Sequence, residues 1–223
     1  MNCHGNNMIV IKFYNSIKER STGILLFYII TIFAQCQTLQ TVCVEGDCDN
    51  GVGIQTTENG SKYEGEFYEA RRNGKGQLLY KNLDTFVGEF VDGRREGSGI
   101  YIHLNGNRYE GNFENDKRHG KGRFHYSELE LFEGNYQSGE RSGTGVYIYP
   151  NGDTFEGKYA DGKRNGFGKY IFSDKSILEG IWKNNMLEGK SITKNAKGNI
   201  IHEGYWKNNS YLGMRDPNMK ESN

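Results

Sequence analysis

Glu64 and Glu66 stand two residues apart, a spacing that puts both carboxylates on one side of an extended strand. Paired acids of that kind can share general acid–base work. Here the pairing recurs along the chain like a structural column, which argues against a single reacting centre. The His residues are scattered. His103 and His125 fall on segments of opposite orientation, His119 falls in a turn, and His202 opens the last repeated segment. No His-x-x-x-His, Cys-x-x-Cys or Gly-x-Ser-x-Gly occurs, so no zinc, redox or serine-nucleophile motif is present. The Gly-x-Gly pairs open strands and not helices, so they do not form a nucleotide loop. The reading is of a chain without catalytic residues, bound cofactor or metal site.

Two further sets of residues carry chemistry of another kind. Cys43 and Cys48 lie five apart with no Cys after them. In an oxidising compartment they can close a small loop as a disulfide; the alternative is two free thiols. Arg72, Arg95, Arg118, Arg141 and Arg164 form a column with one Arg in each of five successive segments, placed in the turns. One reading is a basic binding ridge for acidic headgroups or an acidic partner. The other is that these charges pair with the Glu column at 64, 110, 133, 156, 179 and 203 and keep a flat sheet soluble.

What must position these columns is a repeat. An aromatic-acid-Gly triplet appears at Tyr63-Glu64-Gly65 and returns at Tyr109, Phe132 and Phe155, with Phe86-Val87-Gly88 on the same beat. It continues more loosely at Leu178-Glu179-Gly180 and His202-Glu203-Gly204. The steps between its Gly residues are 23, 23, 23, 23, 23 and 24. A Gly-x-Gly pair keeps the same beat from 51/53 to 166/168. Within each unit, side chains alternate with period two in two segments, separated by Gly, Asn and Asp. Asp92-Gly93, Ser138-Gly139 and Asp161-Gly162 mark a turn inside the unit; Asn59-Gly60, Asn105-Gly106 and Asn151-Gly152 mark a turn between units. Each unit is therefore a hairpin, and the units extend one antiparallel meander. One face carries aromatic columns led by Phe67, Phe90, Phe113, Tyr136, Tyr159, Trp182 and Trp206. Gly beside them leaves room for rings over the backbone, so a side chain at Gly111 or Gly122 should clash while the same change in a turn should not.

Composition agrees. There are 15 Tyr, 12 Phe and 31 Gly but only 2 Pro, which excludes a typical disordered chain despite a mean hydropathy of −0.78. With 28 basic and 28 acidic side chains, nothing draws the chain to nucleic acid.

Residues 1–36 differ from the rest. Lys12, Lys18 and Arg20 precede an apolar run from Gly23 to Ala34, too short to span a bilayer as a helix, which takes about 20 residues. A basic flank, a short apolar core and a small residue at its end describe a signal peptide or a membrane anchor. Cleavage would fall near Ala34–Cys36, or Cys36 would be lipidated, with Met1 or Met8 as the start. Either way the reading is export to the periplasm, the cell surface or the medium.

The repeated unit resembles the MORN repeat, of the form Tyr-x-Gly-x-x-x-x-Gly-x-x-x-Gly-x-Gly. Residues 155–168 match throughout, and the likeness covers about 40–213: six full units with partial ends, followed by a tail at 214–223. The unit at 178–201 has lost its leading aromatic and second Gly and carries an extra residue. The resemblance implies an all-β fold, an elongated single antiparallel meander of some 13–15 strands, with the N-terminal hydrophobic helix outside it. It also implies a non-catalytic scaffold for protein–protein interaction, here expected at the cell envelope. The alternatives are binding to a membrane surface of anionic lipid through the Arg column, or to carbohydrate or cell wall through exposed rings. The partner is unknown, and copies could also join end to end as a homo-oligomer.

Overall fold

The computed structural model describes residues 41–214. The expected apolar helix, Cys36, the choice of Met1 or Met8, and the tail from 215 onward lie outside the described residues. What is described is one sheet: β1 (Thr41–Gly46), β2 (Val52–Thr57), β3 (Lys62–Tyr68), β4 (Arg71–Leu79), β5 (Thr85–Val91), β6 (Arg94–Ile102), β7 (Arg108–Glu114) and β8 (Lys117–His125) form its first half. The second half is β9 (Leu131–Gln137), β10 (Glu140–Ile148), β11 (Thr154–Ala160), β12 (Lys163–Ile171), β13 (Ile177–Lys183), β14 (Met186–Lys194), β15 (Ile200–Lys207) and β16 (Ser210–Gly213). Order in the sheet follows order in the chain, and the strands pair antiparallel. The sheet is an open meander, not a barrel. It has sixteen strands, where the sequence suggested fewer, because both degenerate end units complete their hairpins. At about 4.8 Å per strand it runs about 75 Å along the hydrogen-bonding direction.

Two-residue turns close the hairpins. Asp92 and Gly93 have φ of 49° and 81°, the pair of positive values whose twist suits two antiparallel strands. Glu69 and Ala70 adopt the same signs, 48° and 57°, although neither residue favours them. Because these turns are so short, the strands begin earlier than the sequence suggested. Arg72, Arg95, Arg118, Arg141 and Arg164 are second residues of β4, β6, β8, β10 and β12, and His119 lies in β8.

The core is one layer of rings on one face. Tyr63, Phe86, Tyr109, Phe132 and Phe155 are fully buried. Each packs edge-on against the second ring of its own strand and against that of the next unit, at centroid distances of 5.0 to 5.7 Å. Edge-to-face contact suits the ring quadrupole, and here it also binds each unit to its successor. Beneath the rings runs a row of Gly, paired across successive strands from Gly53 and Gly65 through Gly111 and Gly122 to Gly168 and Gly180. A methyl at Gly122 would lie 2.5 Å from Tyr109 Cε2. Turn residues Gly93 and Gly106 have nothing within 4 Å, although their φ of 81° and 89° disfavours a side chain for a separate reason.

The row breaks once. Ser191 stands in it opposite Gly180 and Gly204, buried and with no partner for its hydroxyl. The same unit has Leu178 where a ring is expected and Leu187 where an Arg is expected. Loss of the flat ring is what leaves room for a Cβ there. The extra residue of this unit, Ile201, is absorbed as a bulge in β15.

Candidate functional site

The Arg column lies on the ring face, because each Arg stands directly across from the second ring of the preceding strand, as Arg72 does from Phe67, Arg95 from Phe90 and Arg118 from Phe113. Arg95 holds its guanidinium 5.3 to 5.6 Å from the centroids of Phe86, Tyr101 and Phe113 and donates from Nη2 to the Asp116 carbonyl at 2.6 Å. Arg118 covers Tyr109, Phe124 and Tyr136 and donates to the Gly139 carbonyl at 2.8 Å. Arg141 covers Phe132, Tyr147 and Tyr159, while Arg164 covers Phe155 and Arg72 covers Tyr63. Such stacking contributes about 0.5–2 kcal/mol per contact according to desolvation. The guanidinium groups form a lid on the single-layer core and bridge one unit to the next.

The Glu column faces the other way and does not meet the Arg column. Glu64, Glu110, Glu133 and Glu179 pair with cations on their own face, whereas Glu156 and Glu203 have no cation within 4 Å among the described residues. Arg123 reaches Glu133 at 2.7 Å, Lys194 and Lys169 reach Glu179 at 2.7 and 3.2 Å, and Arg108 bonds Glu110. Two-sided alternation along the strand separates the columns, a consequence of period two.

A further device joins the units on the ring side. The Tyr101 hydroxyl donates to Asp84 Oδ2 at 2.8 Å, and the Leu104 amide donates to Asp84 Oδ1 at 2.9 Å. Tyr170 and the Ser173 amide treat Asp153 in the same way, both at 2.8 Å, and Tyr147 donates to Glu130. Burial pushes the Asp84 carboxyl up, but the Leu104 amide, the Tyr101 and Asn82 hydrogen bonds and nearby His103 outweigh it, and the group sits below its ordinary value. For Asp153 the Tyr170 hydroxyl is the largest influence and lowers it, against burial, with help from Asn151 and Ser173. Burial and then the Asp84 and Asp153 carboxylates raise the phenols of Tyr101 and Tyr170. A signal for this was present in the sequence: an acid with Tyr seventeen residues later at 84/101, 130/147 and 153/170, whereas Asn107 is followed by Phe124. His103 Nδ1 lies 3.3 Å from Asp84 Oδ2. A His–Asp contact can belong to catalysis, but the same carboxylate cradle recurs at Asp153 with Phe172, a ring that carries no proton to transfer, in the place of His103, so the arrangement serves the sheet. Among the described residues no three His, Cys, Asp or Glu side chains gather to hold a metal.

At the first edge, Cys43 and Cys48 are joined as a disulfide with Cα atoms 5.9 Å apart. Cys48 packs against the ring cluster, and a methyl on Gly53 would come 2.8 Å from its Sγ. The sulfur thus covers Gly53 as rings cover the other Gly residues. Trp182 is buried in the core and Trp206 is half-buried at the last edge.

The face opposite the rings hollows into a trough of about 1270 Å³ over β7–β12, lined among others by Lys121, Asn135, Thr144, Val146, Lys158 and Phe167. Neighbouring strands bring Lys121 opposite Asn135 and Thr144 opposite Lys158, with Phe167 opposite Ile181 beyond. Phe167 is 49% exposed and Ile181 44%, on a face otherwise rich in charge. Arg123, Glu133 and Lys169 are in ion pairs; Lys121 and Lys158 have no carboxylate within 4 Å among the described residues. No spacing in the sequence marks this surface, because its residues come from six different strands and meet only in the assembled sheet.

An open meander of equal hairpins with a one-layer core defines the described residues as a tandem β-hairpin array with two long faces. The chain belongs to the MORN-repeat family: the family's repeat matches residues 63–85, 86–108, 109–128, 132–154, 155–177 and 179–190, more than half of the chain. A search of curated proteins found no match. Among solved structures, the chain is similar to the SAS-4 (dCPAP) TCP domain of Drosophila melanogaster, solved with a proline-rich motif of Ana2, at 12% identity and TM-score 0.47, covering 74% of this chain and 90% of that one. It is also similar to the TCP10 domain of Danio rerio CPAP, at 9% identity and TM-score 0.29, covering 70% and 90%. Scores this low say nothing about what this chain binds.

Proposed function

We propose that this chain is a non-catalytic scaffold that binds another protein along the trough opposite the rings. The observation that carries the reading is the division of labour between the two faces. On the ring side the cations cover rings and the carboxylates hold phenols. On the trough side Phe167 and Ile181 stay open beside two lysines without acid partners. Exposed apolar groups within a charged surround suit a protein interface. The partner that fits is an extended segment with apolar side chains for Val146 and Phe167 and carboxylates for Lys121 and Lys158. We further infer that the protein works outside the cytoplasm, at the cell envelope. Support comes from the basic-then-apolar start at 1–36 and from the Cys43–Cys48 disulfide, a bond that persists in oxidising compartments.

The test is comparative crosslinking in an envelope fraction. Wild-type chain should capture a defined protein that Phe167→Glu and Lys158→Glu variants lose. A partner retained by both variants refutes the trough, and mass spectrometry showing an unprocessed, cytoplasmic chain refutes export.

A further inference from the structure

On the trough side, each second strand places one side chain between its two Gly residues, and each first strand places one just after its Gly. These positions make a single row across the strands. In the first half of the sheet the row satisfies itself: Glu66 accepts from the Lys75 amide at 3.2 Å, and Glu89 accepts from the Ser98 hydroxyl at 2.6 Å. In the second half it does not. Lys121 stands opposite Asn135, the Asn135 amide reaches Thr144 Oγ1 at 3.3 Å, Thr144 stands opposite Lys158, and Phe167 stands opposite Ile181. Lys121 and Lys158 are exposed, and neither has a carboxylate within 4 Å among the described residues. The backbone repeats along the row, but the charge does not.

We propose that this row reads an extended acidic segment of a partner protein laid across the strands, with acids at i and i+4 and an apolar side chain at i+6. The inference rests on the trough as the binding face and adds the spacing. Two ammonium groups without acid partners are complementary to two carboxylates. Lys121 on β8 and Lys158 on β11 are three strand steps apart, about 14 Å. Four residues of extended chain cover about 13 Å, and an even count keeps both acids on the side that faces the sheet. Position i+2 then falls between Asn135 and Thr144, and i+6 between Phe167 and Ile181. A helix does not fit. Covering about 14 Å takes it about nine residues, or two and a half turns, which puts the two acids on opposite sides. Equal repeats would let such a segment slip by one unit, about 10 Å. Here a slip toward β5 brings the first acid to Ser98, beside Glu89, and a slip the other way moves the second acid from Lys158 to Ile181. One register is left.

Fluorescence anisotropy with the full chain tests it at low ionic strength, where exposed charge pairs are least screened. The probe is a labelled, end-capped Glu-Ser-Thr-Ser-Glu-Ser-Leu peptide, with its reversed sequence beside it because the row does not fix the chain direction. Moving the second Glu to i+3 turns it away from the sheet and should weaken binding about fivefold, the size of one exposed ion pair. Lys158→Glu should weaken the original peptide about tenfold, since an attraction becomes a repulsion. Exchanging the peptide's second Glu for Lys should restore binding in that variant alone. Glu66→Gln, on the same row outside the trough, should change nothing. Equal affinity for the i+3 and i+4 peptides, no restoration by the charge swap, or no binding in either direction overturns the spacing. The trough itself fails separately, in the crosslinking of Phe167→Glu and Lys158→Glu, which uses whatever protein the envelope supplies.

Discussion

Replacing Gly122 with Ala tests the idea that flat rings over bare backbone hold this sheet together. Gly122 lies beneath Tyr109, whose hydroxyl donates to the Asn112 carbonyl at 3.0 Å. The new methyl would sit 2.5 Å from Cε2 and 2.6 Å from Cζ of that ring, so the ring must lift. Backbone strain is not the issue at this position, because Gly122 is not in the left-handed region. Overpacking costs about 1–3 kcal/mol, and losing the phenol hydrogen bond adds about 1 kcal/mol. The expected loss is about 3 kcal/mol. Gly106→Ala is the control: it has open space, so only its φ of 89° matters, at about 1 kcal/mol. The decisive measurement is a double-mutant cycle with Tyr109→Ala, read by urea unfolding together with amide exchange in β7–β9, since arrays can unfold in parts. With the ring gone, Gly122→Ala should cost no more than about 1 kcal/mol, the ordinary size of a tolerated change. A cost that is the same in both backgrounds, or no larger than that of Gly106→Ala, would refute the reasoning.

Three other outcomes are expected. Burial pushes the phenols of Tyr63 and Tyr109 up to about 12, and the native state therefore keeps protons that the unfolded chain releases near 10. Stability from this source is complete below pH 10 and is lost as pH rises toward 12, so phenolate absorbance should appear together with loss of strand signal. At the acid end the sign reverses: the lowered Asp84 and Asp153 carboxyls stabilise the fold above their ordinary value of 3.8 and lose that effect as pH falls through their native values. A chain with both changed to Asn should show a flatter acid limb in pH-dependent unfolding, and an unchanged limb would count against the cradle. Ala70→Gly should stabilise the first repeat hairpin by about 1 kcal/mol by relieving a positive φ on Ala, seen as slower amide exchange in β3 and β4.

Much of this protein is legible in its residues because a repeat reports the same local physics many times. Fixed spacing between Tyr63, Gly65 and Gly76 and their successors, with Asp-Gly and Asn-Gly turns between, is enough to require hairpins joined neighbour to neighbour. Period two also places Phe113 on one side and Glu110 on the other, whereas Arg118 reads as a turn residue and only the Phe113–Arg118 register puts it on the ring side. Spacing could not show where a long side chain finishes. Arg118 might have reached solvent or Glu110; packing sends its guanidinium over Tyr109, Phe124 and Tyr136, because the thin core has no second layer and something must exclude water from the rings. The sequence likewise holds Asp153 and Tyr170 seventeen apart, but only the pairing register brings them to 2.8 Å. It holds Lys121, Lys158 and Phe167 on three different strands, and only the lateral order of β8, β11 and β12 gathers them in one trough. Local periodicity fixes which side a residue faces, whereas contacts across several strands depend on the assembled sheet.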